Sequence, residues 1–119
     1  MKKLALALVG MAVLLSNGNL AHAQRAKGPG LAVTTVPAYG AVTYWDTFLA
    51  GGRASVMLTG NGRTDLDIFI YDDVGNLIVQ GIGPTDIETV RWTPLWTGRF
   101  RIVIRNLGPV PNTYVMTTN

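Results

Sequence analysis

The sequence predicts an all-β fold, an antiparallel β-sandwich of about seven or eight short strands. Three observations carry that reading. Apolar and polar residues alternate with period two through most of the chain beyond residue 42, as they do in strands with one buried face. Glycine, proline and asparagine punctuate the chain at intervals of about ten residues, the spacing of short strands and turns. Outside residues 4–15 no window carries a convincing helical stripe.

Residues 31–36 form a weak first strand that Pro37 stops. Residues 43–49 alternate Tyr44, Asp46 and Phe48 with Thr43, Trp45 and Thr47, after which Ala50, Gly51 and Gly52 turn the chain. In residues 54–59, Ala54, Val56 and Leu58 share one face, and Gly60, Asn61 and Gly62 close the strand. Residues 66–71 are apolar on both faces, as in a central strand of a two-layer structure. Residues 72–76 supply a hairpin turn to residues 77–79, with Gly75 at the position expected to need positive φ. Residues 87–92, 100–104 and 112–118 complete the set. Residues 24–30 read as a polar, flexible tail. The organisation is therefore a flexible segment over 24–41, holding at most one strand, and a sandwich over 42–119.

The first 23 residues read as a cleavable secretory signal peptide. Lys2 and Lys3 precede an apolar run over residues 4–15, and Ala21-His22-Ala23 places the cut before Gln24. That run is too short to cross a membrane, which takes roughly 20 apolar residues. No cysteine follows it, so lipid attachment is excluded. The expected product is periplasmic or extracellular, disulfide-free, and has no membrane span after cleavage.

From Gln24 onward, Lys27 and seven arginines stand against six aspartates and Glu88. That near-neutral balance offers no warrant for nucleic acid or an anionic membrane as partner. The same stretch has no histidine and no cysteine, and its one serine is Ser55. Ser-His-Asp and Cys-His sites cannot be assembled, nor can zinc sites built on histidine or cysteine. Paired aspartates leave a small hydrolase as a weak alternative, in a chain with little room for a cleft. The expectation is that the protein is not an enzyme.

Asp65 and Asp67 are the most suggestive carboxylates, at i and i+2 and so on one face, roughly 6 to 7 Å apart along a strand. Two readings stand. Asp65 caps the turn of Asn61, Gly62, Arg63 and Thr64 while Asp67 pairs with an arginine. Alternatively the two bind calcium, with Asn61, Thr64, Asp86 or backbone carbonyls completing the shell; no other cofactor is expected. Arg99, Arg101 and Arg105 flank the inner residues Phe100, Ile102 and Ile104. They present guanidinium forks to a carboxylate-bearing partner, or are balanced across strands by Asp67, Asp86 or Glu88. Trp92 alternates with Val90 and belongs to the core. Trp96, in a loop between Pro94 and Gly98, is either a plug over the sandwich end or an exposed contact for a partner.

An ordered set of residues resembles the bacterial pre-peptidase C-terminal domain. It comprises Ala50-Gly51-Gly52, then Val56, Leu58 and Gly60, then Thr64-Asp65-Leu66-Asp67 with Tyr71-Asp72, Gly75 and Asn76. Trp92-Thr93-Pro94, Thr97-Gly98 with Phe100, Ile102 and Ile104, Asn106, Gly108, Asn112 and Tyr114 continue it. The resemblance implies a jelly-roll-like sandwich that is non-catalytic, usually appended to secreted peptidases, with relatives that bind calcium or a fibrous substrate. The expected function is an exported binding module for a protein or polymer. The alternative is an assembly protein that pairs its exposed strand edges with other chains.

Overall fold

The computed structural model describes residues 24–119, so the expected signal peptide lies outside the described residues. Eight strands follow one another: β1 (Gly30–Val36), β2 (Ala41–Phe48), β3 (Ala54–Thr59), β4 (Leu66–Asp72), β5 (Leu77–Gly81), β6 (Ile87–Trp92), β7 (Gly98–Asn106) and β8 (Asn112–Thr118). They form two four-stranded antiparallel sheets, ordered β1-β8-β3-β6 and β2-β7-β4-β5. Among the described residues no helix is long and apolar enough to cross a membrane.

The pairing is nested. β1 pairs with β8, β2 with β7, β3 with β6 and β4 with β5, while β3–β8 and β4–β7 contacts complete the sheets. The chain is in effect one long hairpin rolled over itself, which is the jelly-roll arrangement. Only β4 and β5 are joined within one sheet; every other connection crosses between sheets. Connections therefore gather at two ends. Segments 37–40, 60–65, 82–86 and 107–111 make one end; segments 49–53, 72–76 and 93–97, with residues 24–29, make the other.

Alternation decides which residues fill the space between the sheets. Ala54, Val56 and Leu58 of β3, Leu66, Ile68 and Ile70 of β4, and Phe100, Ile102 and Ile104 of β7 are all buried. Removing such side chains from water is the main driving force for folding. Phe48, Trp92 and Phe100 pack with centroids 4.9, 5.6 and 6.0 Å apart in edge and tilted geometries, the arrangement that ring quadrupoles favour. Buried Tyr114 meets Tyr44 through their hydroxyls at 2.6 Å, and Tyr44 also donates to Thr34 Oγ1.

Residues 24–30, expected as a flexible tail, are tied down instead. The Gln24 and Arg25 N–H groups donate to Asn119 O, Ala26 N–H donates to Thr47 O, and Leu49 N–H donates to Gln24 O. Arg25 also pairs with Asp46 at 3.0 Å. Backbone groups next to a sheet's end find partners there whatever the side-chain composition, so a polar sequence need not be a loose one. The turn over 72–76 agrees with expectation: Gly75 has φ 94°. Asp72 caps that turn, its Oδ1 accepting from the Val74 and Asn76 N–H groups and its Oδ2 from Asn76 Nδ2. These bonds hold the Asp72 carboxyl below its ordinary pKa, the Asn76 side chain contributing most.

Candidate functional site

Three features stand out: an arginine–aromatic face, an apolar pocket at one end, and an acidic cluster near the other. The register of β2, β7 and β4 sets Trp45, Arg101 and Tyr71 side by side across the sheet. Strand alternation turns all three away from the core, as it does Arg99 opposite Thr47 and Arg105 opposite Ala41 and Asp67. The Arg99 guanidinium lies 4.5 Å from the Trp45 ring centroid, and Arg101 lies 4.5 Å from Tyr71 and 5.9 Å from Trp45. Guanidinium groups held against rings can still offer terminal N–H groups to a planar acceptor, although Arg101 Nε is buried and has no hydrogen-bond partner among the described residues. None of the three arginines is in an ion pair; among the described residues the ion pair is that of Arg25 with Asp46. The cross-strand balance by Asp67, Asp86 or Glu88 is thus not formed as direct contacts.

At the end where segments 72–76 and 93–97 meet, a cavity of about 330 Å³ is lined by Asp72, Ile78, Trp92, Leu95, Trp96 and Phe100 among others. Trp96 does not plug the sandwich. It is 57% exposed and its neighbour Leu95 86%, because Trp92 and Pro94 already fill the interior beneath them. Trp96 is instead a wall of the pocket, and two residues later the chain enters β7 and reaches Arg99.

Asp65, just before β4, and Asp67 within it meet Glu88 of β6, a strand of the other sheet; one oxygen of each lies within 4.8 Å of the others. Asp65 does not cap the preceding turn. Asp86 does, its Oδ2 accepting from Gly62 N–H at 2.6 Å, and Asn61 Oδ1 accepts from Arg63 N–H. Asn61, Thr64 and Asp86 are engaged by the fully buried Asn112. Its Oδ1 accepts from Asn61 N–H, and its Nδ2 reaches Thr64 O, Thr64 Oγ1 and Asp86 Oδ2 at 3.0 to 3.3 Å. They are therefore not the neighbours that complete the cluster; Glu88 is. Burial, then the charges of Asp65 and Glu88, push the Asp67 carboxyl up to about 6 against the opposing pull of Arg105. Glu88 is also raised, mainly by burial, with the nearby Gly83 backbone opposing and Asp65 adding to the rise.

Sequence reasoning missed Glu88, Trp45 and Tyr71 as members of these features. Their placement depends on which strands are neighbours and in what register, which periodicity along one strand does not contain.

No family model matches the sequence, and no curated protein matches it. Solved structures do resemble the fold. The Yersinia pseudotuberculosis-derived mitogen superposes with TM-score 0.64 at 13% identity, covering 77% of this chain and 85% of its own. The pre-peptidase C-terminal domain of collagenase from Bacillus anthracis gives TM-score 0.61 at 8% identity, over 74% of this chain and 88% of that domain. The fold is that of a pre-peptidase C-terminal domain. Aeromonas hydrophila PliG, a periplasmic lysozyme inhibitor of g-type lysozyme, shares the architecture at TM-score 0.56 and 10% identity, over 88% of this chain and 91% of its own.

Proposed function

We propose that this protein is an exported, non-catalytic binding module that holds an acidic protein surface against the outward face of β2, β7 and β4. The observation that carries this is the stack of Arg99, Trp45, Arg101 and Tyr71, whose guanidinium groups have ring partners but, among the described residues, no carboxylate partner. Arginine and aromatic side chains are the ones that dominate binding energy in protein interfaces. The apolar pocket beside Trp96 and Leu95 offers an adjoining recess for one apolar side chain of the same partner. Among proteins sharing the fold, one is named as an inhibitor of another protein and as periplasmic, which agrees with a protein target and with the export expected from residues 1–23. The inventory from Gln24 onward, without histidine or cysteine, supports the absence of catalysis.

The test compares wild type with the Arg99→Ala/Arg101→Ala double variant in capture from periplasmic and extracellular fractions at low and high salt. Wild type is expected to retain a partner at low salt and release it at high salt, and the double variant to lose at least ~10-fold of the captured material. Equal capture by both proteins overturns the reading.

A second reading is assembly through the other sheet. Leu31 and Val33 on edge strand β1 and Ile87 on edge strand β6 are 71%, 61% and 64% exposed, and exposed apolar edges invite pairing with another chain. Sedimentation over a range of concentrations separates the two: concentration-dependent oligomers favour assembly, and a monomer throughout removes it.

A further inference from the structure

Three carboxylates meet where β4 of one sheet approaches β6 of the other. Each contributes a buried oxygen that has no hydrogen-bond partner among the described residues: Asp65 Oδ1, Asp67 Oδ1 and Glu88 Oε2. Asp67 is the most enclosed, at 6% exposure, although strand alternation turns it away from the core. Buried acceptors are almost always satisfied, because leaving them unpaired forfeits their hydration with nothing in return. One carboxylate oxygen of each of these residues lies within 4.8 Å of the other two, so the cluster calls for a shared positive partner, and Arg105, directly across from Asp67, forms no ion pair with it.

The backbone around the cluster leaves room for that carboxylate arrangement. A Cβ on Gly81 would stand 3.0 Å from Glu88 Oε1, and one on Gly83 3.0 Å from Glu88 Oε2. Two glycines two residues apart thus let the Glu88 carboxylate reach across to the β4 aspartates.

We propose that Asp65, Asp67 and Glu88 bind one calcium ion, which clips β4 to β6 across the two sheets. The donors are all carboxylate oxygens, the ligands of a hard cation. Oxygens facing each other across calcium stand about 4.6 to 5.2 Å apart, against only about 4.0 to 4.2 Å across magnesium. Oxygens within 4.8 Å of one another lie within the span that one calcium ion can bridge. Three carboxylates supply about three to six of the roughly six to eight oxygens calcium takes, and water completes the shell.

The experiment strips the purified protein with EDTA, then melts it in EDTA, in 1 mM calcium chloride and in 1 mM magnesium chloride, with calorimetric titration of calcium alongside. A site of about 10 μM affinity shifts the folding equilibrium about 100-fold at that calcium concentration and raises the midpoint by several degrees. Magnesium is expected to raise it much less. Asp67→Asn and Glu88→Gln are each expected to lose the calcium increment, while melting in EDTA at or above wild type because one mutually repelling charge is gone. Superimposed wild-type curves with no heat of calcium binding overturn the proposal. So does a calcium increment that survives in both variants, which would put the ion elsewhere. Neither readout depends on any partner, so failure here leaves the arginine face untouched.

Discussion

Asn112 and Trp92 are both buried, one toward each end of the sandwich, and they close those ends by different physics. Asn112 touches segments 60–65 and 82–86 at once through Asn61, Thr64 and Asp86, so that connections distant in sequence are held by directional bonds. Trp92 has no hydrogen-bond partner for its indole N–H among the described residues and is held by Phe48 and Phe100 through ring contacts. Directional bonds fix the position of every group they join. Apolar packing is non-directional, and at the Trp92 end it leaves a recess walled by exposed Trp96 and Leu95. The hydrogen-bonded end is suited to holding geometry and the aromatic end to receiving something.

The largest test of that contrast is Trp92→Ala. It should cost about 3 to 5 kcal/mol, since a buried aromatic is lost and a cavity opens beside Phe48 and Phe100. Chemical denaturation measures it, and a loss below about 1 kcal/mol would mean that end is not held by packing. Asn112→Ala comes next, at about 2 to 3 kcal/mol, because Asn61 N–H and Asp86 lose a buried partner while little apolar area is removed. If Asn112→Leu, which restores volume without hydrogen bonds, recovers full stability, the bonds at that end are dispensable.

A pH series in EDTA probes the acidic cluster beside the Asn112 end. The folded-state pKa of Asp67, about 6, lies above its ordinary 3.8, so the folded protein binds more protons than the unfolded chain between those values. Its contribution to stability is therefore complete below about pH 4 and lost as pH rises through 6. The raised Glu88 acts in the same direction. Asp72, held low, loses its contribution only below that window. The melting midpoint in EDTA should be higher at pH 5 than at pH 7.5, and Asp67→Asn should flatten the difference. The smallest expected effect is Trp96→Ala, which should change stability by no more than about 0.5 kcal/mol because the ring is mostly in water. A larger loss would show that Trp96 closes the end after all.

Much of the fold is legible in the sequence because a sandwich strand announces itself through period two. The two apolar faces of β4 mark a central strand, Gly75 marks the one tight hairpin, and the alternation of Val90 with Trp92 marks a core position. The polar run 24–30 misleads because its partners, Thr47 and Asn119, are remote in sequence. Arg99 and Arg101 can be placed on one face from alternation alone, but that Trp45 and Tyr71 lie beside them follows only from three-strand register. Glu88 is harder still. Its approach to Asp65 and Asp67 requires knowing that β6 belongs to the opposite sheet yet passes close to β4.

The nested pairing of strands has a kinetic consequence. Its innermost rung, β4 with β5, spans a short turn and closes quickly; its outermost, Gly30 with Thr118, joins residues almost the whole described length apart. Closing a larger loop costs more chain entropy before any contact repays it, so this topology favours assembly from the hairpin tip outward and is expected to fold more slowly than one built on local pairings. β8 also sits between β1 and β3, so β1 has no strand partner, and β3 has only β6, until residues 112–118 are present. The rolled ladder is in this way a timer: the sheet of β1, β8, β3 and β6 stays incomplete until its last strand arrives.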